Sequence, residues 1–530
     1  MTLKVVHKAS VSEAVLQNVP SLVNDKVASR IFQKDFTLWG EDAEDESKKR
    51  LGWVNAARSS LVLIPDLLKL RDDLHSEGVS RVVLCGMGGS SLAPEVITKT
   101  FGTELVVLDS TEPSQVSDVV SKELGRTVVV VSSKSGSTVE TDSQKRSFEA
   151  AFEAAGIDRR ERIVIVTDPG SPMESEALGD GYRVFTADPT VGGRYSALTA
   201  FGVVPSVLAG VDMESVLHSA MAAERVLAKD SESNPGLILG AALARTAAAS
   251  GFKDKLGLIP NGTSIVGFGD WAEQLIAEST GKDGKGVLPV VLESHSPEIA
   301  ADHDDLLLIG LGEDASTSPF DLTVSGDLGE QMLLWEFATA VASRLLGINP
   351  FDQPDVEAAK VAARSMLEAT KTEKSPVMEQ IKSYGFALAG TTLESAIDSF
   401  IRQALPSSYF SIQCYLNRLE HAEASGLRDL LAVSTNRPIT FGWGPRFLHS
   451  TGQYHKGGPK QGLFLQILSA EELDLDIPGR PFSYKELIDS QALGDAKVLE
   501  SRGLKVLSLR LPNVREGLQA ISSILGKREN

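Results

Sequence analysis

The sequence predicts an α/β protein. It would have two parallel sheets flanked by helices, a helical N-terminal segment and a mixed α/β C-terminal region. Two observations predict this class. From residue 81 onward, short continuous runs of Val, Ile and Leu recur, and stretches of helical length separate them. Runs without polar alternation mark strands buried on both faces, and their spacing by helices marks crossover connections. A third observation concerns ligands. Two loops rich in Gly, Ser and Thr directly follow two of these runs, the position at which doubly wound sheets bind small molecules.

Residues 1–75 read as helical and charged, with no clear strand, and the acidic stretch Glu41 to Glu46 reads as a solvated turn. Residues 76–230 form the first expected domain, with apolar runs at Arg81–Cys85, Glu104–Leu108, Thr127–Ser132 and Arg162–Thr167 and a helical stretch over Ser137–Ala155. Residues 231–372 form the second, with weaker runs at Leu256–Pro260, Val287–Val291 and Asp305–Gly310. Long helices are expected over Leu328–Leu346 and Pro354–Ala369, and Lys371–Pro376 reads as a linker. Residues 373–530 mix helices with short strands, including Leu463–Ile467 and Lys505–Arg510, and are expected to complete the second domain. Neither a short-period repeat nor a low-complexity tract is present.

The 530 residues allow about two to four domains. Asp and Glu number 71 against 52 Lys and Arg, a formal net charge of −19. Such a chain is a poor match for nucleic acid or an anionic membrane surface, both of which call for concentrated Lys and Arg. Two cysteines, Cys85 and Cys414, rule out a disulfide framework and a Cys-rich metal site, and they fit reduced cytoplasmic thiols. The N-terminus lacks the apolar core of a secretory signal, and the long uncharged stretch Tyr195–Val211 is too short to span a bilayer.

The first loop is Gly86-Met-Gly-Gly-Ser-Ser91. Glycines let backbone N–H groups approach an anion, and the following helix turns its positive end toward it. Taken alone, the loop fits an anion site, a plain strand–helix turn, or a dinucleotide fold with Asp109 as the ribose-binding acid. The second loop, Ser133-Lys-Ser-Gly-Ser-Thr138, brings four hydroxyls and a cation to the start of a helix. A helix N-cap needs only one such residue, whereas a phosphate dianion uses several donors and a charge. In a flavodoxin-like sheet of order 2-1-3-4-5 the strands carrying these two loops are neighbours.

These loops and three further motifs resemble the phosphoglucose isomerase family of sugar isomerase (SIS) domain proteins. Gly86–Ser90 and Ser133–Thr141 resemble the family's two sugar-phosphate loops. Gly192-Gly-Arg-Tyr-Ser196 matches its Gly-Gly-Arg-Tyr-Ser motif, and Glu278-Ser-Thr-Gly-Lys282 the stretch holding its catalytic glutamate. Asn349–Gln353 with Val356-Glu-Ala-Ala-Lys360 matches the stretch holding a catalytic lysine. The five occur in the family's order across residues 80–365. The N-terminal helices and the tail look most like the isomerase half of bacterial transaldolase–phosphoglucose isomerase fusions. The fold implied is a pair of SIS-type, flavodoxin-like domains. The implied reaction interconverts glucose 6-phosphate and fructose 6-phosphate through ring opening and a cis-enediol, in glycolysis and gluconeogenesis. The resemblance implies no cofactor and no metal, and it implies a homodimer with shared sites.

Residue by residue, the resemblance makes Glu278 the base that carries a proton between C2 and C1, since a carboxylate can take and return it. It makes Arg194 the permanent charge that stabilises the enediolate. Lys360 would polarise the ring oxygen; as a surface residue it would instead pair with Glu357, three residues earlier on the same face. Gln274, four residues before Glu278, shares its helical face, and by the resemblance it contacts the sugar phosphate or orients the site. Ser90, Lys134, Ser135 and Thr138, with Ser133 and Gly89, contact the phosphate or sugar. The family's ring-opening histidine, supplied across the dimer, lies between the glutamate and lysine motifs in bacterial members. Here that interval holds only His295 and His303, in unmatched surroundings. The Gly- and His-rich stretch Gly444–Pro459 makes His455 or His449 the candidate, and no Asp, Glu or Cys nearby turns the pair into a metal site. The rival functions are a non-catalytic sugar-phosphate regulator, a nicotinamide-dependent oxidoreductase, and an isomerase that also accepts mannose 6-phosphate.

Overall fold

The computed structural model describes residues 3–249, 251–312, 319–355, 380–471 and 473–528. The first sheet is wholly parallel and ordered Val106–Leu108, Arg81–Gly86, Thr127–Ser132, Ile163–Thr167, Arg183–Thr186. By chain order this is 2-1-3-4-5, so the first and third strands lie side by side, with Gly86 opposite Ser132. Every residue of those two strands is buried, as unalternated Val runs require when helices cover both faces. The edge strand Arg183–Thr186, half-exposed, is not among the apolar runs expected from the sequence.

The second sheet is ordered Lys4–His7, Leu322–Ser325, Leu306–Gly312, Lys255–Asn261, Leu288–Val291. Its last four strands are parallel, and Lys4–His7 runs antiparallel along one edge. This corrects the expectation of no strand before residue 75. Four residues with one face exposed form a strand only because Leu322–Ser325 offers a partner, which local periodicity does not report. The helix Leu328–Leu346 starts at an Asp327–Glu330 capping box and ends at Gly347 in the left-handed region, and its middle is buried on every side.

Residues 381–511 build a third sheet, ordered Ile381–Tyr384, Lys505–Leu511, Gly462–Ser469, Tyr409–Tyr415, Ile439–Trp443. Four of its strands are parallel, and Ile381–Tyr384 is an antiparallel edge. It has a core of its own around Phe400, Phe410, Ile467 and Leu509. A second apolar cluster, with Ile259, Leu288 and Val290 against Tyr409, Tyr454 and Phe464, packs it onto the second sheet. Cys85 and Cys414 are buried free thiols, and burial pushes both up from the ordinary thiol range. No described helix is long and apolar enough to cross a membrane.

Candidate active site

Four segments meet at the carboxyl ends of the first sheet's leading strands. The hub is the turn Gly88–Ser90, between the strand Arg81–Gly86 and the helix Leu92–Phe101. Gly88 has φ +56°, and a Cβ there would lie 2.4 Å from the His449 carbonyl oxygen and 2.9 Å from Gln274 Nε2. A Cβ on Gly89 would lie 2.1 Å from the Gly193 carbonyl oxygen. Glycine is required at both positions because the Arg194 turn, the Gln274 helix and the His449 loop all close on this backbone. Ser90 is buried in the same turn.

The second loop lies beside the first. Ser133 Oγ donates to Thr138 Oγ1 at 3.1 Å, while Ser135 and Ser137 are exposed and share a hydrogen bond of 3.0 Å. The helix Val139–Ala154 begins after Thr138 without a side-chain cap. The hydroxyls are therefore not consumed by capping, the bland explanation of so many Ser and Thr. Lys134 Nζ is tied to Asp168 Oδ2 at 2.5 Å. Burial lowers the lysine against the opposing pull of Asp168 and raises the carboxyl despite Lys134, so both groups are shifted toward neutrality.

Glu278 lies on the buried face of the helix Phe268–Thr280. Its Oε1 is 3.1 Å from Arg194 Nη1, and its Oε2 accepts from Gln274 Nε2 at 3.1 Å. The same Gln274 nitrogen donates to the His449 carbonyl at 2.7 Å, which leaves Gln274 Oε1 buried without a partner. Arg194 is 4% exposed. Its terminal nitrogens also bond Gln353 Oε1 and the carbonyls of Pro350 and Asp352, at 2.8–3.1 Å, leaving Nε unpartnered. A carboxylate able to shuttle a proton thus faces a fixed guanidinium, with one spare donor and one spare acceptor beside them.

Lys282 follows the same helix. Its Nζ bonds Asp352 Oδ1 and the carbonyls of Asn349 and Asp352 at 2.6–2.7 Å. Burial, reinforced by the Arg194 charge, pushes Lys282 down to about 8 against the pull of Asp352. Arg194 and Lys282 together hold 349–353, the segment that leads toward Lys360. Lys360 itself lies outside the described residues.

The structure separates the candidate histidines. His449 Nε2 is 2.9 Å from Glu140 Oε1, in the first turn of the helix after the second loop. Glu140 also accepts from Gln491 Nε2 at 2.6 Å, and Gln491 accepts from Thr111 at 2.8 Å. His455 is not brought to this cluster. Its ring sits among Tyr409, Phe447 and Phe464 with centroids 5.0–6.3 Å away, and both ring nitrogens lack partners. Burial holds that imidazole far below the usual histidine range and so uncharged. His295 is exposed beside Asp429, and His303 lies by the Lys253–Asp321 pair; neither touches the cluster.

Asp109 is not free to bind a ribose. It is 1% exposed and paired with Arg446 at 3.1 Å and Arg418 at 3.4 Å. No group of three metal-ligating side chains occurs among the described residues. Glu140, Lys282 and Gln353 were not singled out from the sequence, although each stands inside one of the five motifs. The signal available was their place in those motifs, within a few residues of assigned ones.

The phosphoglucose isomerase family profile matches residues 74–294. A probable glucose-6-phosphate isomerase from Haloarcula marismortui is 27% identical over 354 residues, covering 56% of this chain and 80% of the relative. A glucose-6-phosphate isomerase from Synechococcus sp. (strain JA-3-3Ab) is 26% identical over 424 residues, covering 68% and 77%. Among solved structures, a hypothetical protein from Thermus thermophilus superposes with a TM-score of 0.58 at 24% identity, over 69% of this chain and 100% of that one. A glucose-6-phosphate isomerase from Chlamydia trachomatis superposes with a TM-score of 0.51 at 21% identity, over 66% and 79%.

Proposed function

The chain belongs to the phosphoglucose isomerase family, and from that premise we propose that it interconverts D-glucose 6-phosphate and D-fructose 6-phosphate. The observation that carries this reading is the buried Glu278–Arg194 pair, with Gln274 alongside, set against two anion-suited loops. In this reading Ser90, Ser133, Ser135 and Thr138 hold the phosphate with the amides of the first helical turn. His449, oriented by Glu140, and Lys360 open the ring, one taking a proton from the anomeric hydroxyl and the other giving one to the ring oxygen. Glu278 then removes the C2 proton and returns it to C1, while Arg194 stabilises the enediolate oxygen. A hydrogen leaves one carbon and joins its neighbour within one substrate, so the electrons balance and no redox cofactor is needed.

His449 reaches Glu140 within a single chain. The homodimer and the cytoplasmic location belong to this reading, with His449 taken from the same chain as Glu140. A coupled assay for glucose 6-phosphate formed from fructose 6-phosphate tests the proposal. Turnover supports it; folded protein that binds the sugar phosphate without turnover marks a regulator instead and overturns it.

A further inference from the structure

We propose that Arg446 is a positioning residue for His449: its buried contacts with Glu95 and Asp109 dock the carboxyl edge of the third sheet onto the first and hold the His449 ring at Glu140. This inference rests on the reading of the site given above. The neighbouring strands Tyr409–Tyr415 and Ile439–Trp443 end toward the first sheet, and the loops after them supply Arg418 and Arg446. Arg446 Nη1 lies 2.7 Å from Glu95 Oε2 and 3.1 Å from Asp109 Oδ2. Arg418 takes the other oxygens of the same two carboxylates, at 3.0 Å and 3.4 Å. Glu95 belongs to the helix after the first loop, and Asp109 follows the strand Val106–Leu108. The clamp thus grips the first sheet beside the substrate loops.

The coupling from clamp to histidine is short. Arg446–His449 is a single turn of 3-10 helix, so anchor and ring are rigidly linked. Beyond the turn, the His449 carbonyl takes the Gln274 amide at 2.7 Å and abuts Gly88, while the ring meets Glu140 at 2.9 Å. Burial raises Glu95, but the charges of Arg446, Arg418 and Lys99 outweigh it and hold the carboxyl well below its ordinary range. The third sheet has its own core and a separate apolar contact with the second sheet. Its fold therefore does not hang on Arg446, whereas the placement of the histidine does.

A double-mutant cycle on kcat in the full chain tests this, with fructose 6-phosphate as substrate. Arg446→Met and His449→Asn should each lower kcat by about 100-fold, the scale of a displaced or missing acid–base group, with KM little changed. Combined, they should fall no more than about twofold below His449→Asn alone, because Arg446 acts through the histidine. Arg446→Lys should recover part of the loss. Multiplying losses, or Arg446→Met with wild-type kcat, overturn the proposal. If Arg446→Met does not fold, Asp109→Asn replaces it in the same cycle, and the same two outcomes decide the question. If His449→Asn turns over like wild type, or the wild type does not isomerise, the reading of the site fails and this proposal with it. A large His449→Asn loss with multiplying effects defeats the positioning role alone.

Discussion

Glu278→Gln preserves shape while removing the base and its charge. In the native site Oε1 faces Arg194 Nη1 and Oε2 accepts from Gln274 Nε2, each at 3.1 Å. An amide has one acceptor for these two donors. With its oxygen toward Arg194, its NH₂ meets the Gln274 nitrogen, which cannot turn away without losing the His449 carbonyl at 2.7 Å. One buried donor is left unmet, costing about 1–3 kcal/mol. Loss of the charge partner of Arg194 adds to this, tempered by that guanidinium's three remaining acceptors. Catalysis should suffer more than folding: kcat should drop by about 10²–10⁴-fold for a missing general base. The coupled assay reads turnover, and washout of C2 deuterium in ordinary water reads proton transfer by itself. Substrate at about 100 times Kd should still stabilise the variant by about 2.7 kcal/mol, because phosphate binding is untouched. Turnover or washout within tenfold of wild type would show that another group moves the proton.

Arg194→Lys keeps the charge but cannot reach Glu278, Gln353 and two carbonyls at once, so kcat should fall by about 10²–10³-fold in the coupled assay. Lys282 has a folded value of about 8 against its ordinary 10.5. Between these pH values the unfolded chain binds the extra proton, so this group's contribution to stability rises with pH and is level below about 8. Denaturant unfolding should show wild type gaining on Lys282→Met between pH 8 and 10.5, by up to about 3 kcal/mol; a gap that narrows would contradict the assignment. His449→Asn should lower kcat by about 100-fold. His455→Leu should leave kcat unchanged and cost little stability, since the imidazole it removes makes no hydrogen bond.

Much of the candidate site was legible in the sequence because its residues are packed into contiguous motifs. Ser133–Thr138 lies in one loop, and Gln274 and Glu278 share one helical face by spacing alone. The parallel first sheet was legible because its Val runs are buried on both sides. What escaped were pairings set by tertiary distance. His449 and Glu140 are separated by 309 residues, so nothing local could choose His449 over His455. Both stand in one His- and Gly-rich stretch, yet one ring points at a carboxylate and the other into an aromatic pocket. Asp109 shows the same limit: an acid closing a strand is the same letter whether it meets a ribose or two arginines. The strand Lys4–His7 was invisible because its partner, Leu322–Ser325, lies far along the chain.

The net charge of −19 posed a problem for an anionic substrate, and the structure changes how it is solved. Arg194, Lys134 and Lys360 are the cations that the motifs place among the candidate site residues. Arg194 and Lys134 are already matched, by Glu278 and Asp168. Lys282 is matched by Asp352, and Arg446 and Arg418 by Glu95 and Asp109. Free cationic charge is therefore not what these described residues offer a phosphate. What the second loop offers is aimed dipoles, from hydroxyls and from a helical first turn that no side chain caps. Hydrogen bonds to a charged oxygen contribute about 1.5–3 kcal/mol each, so three or four of them match the affinity a metabolite site requires. Because such donors act only at contact range, the acidity of the remote surface, screened beyond about 8–10 Å, scarcely opposes them.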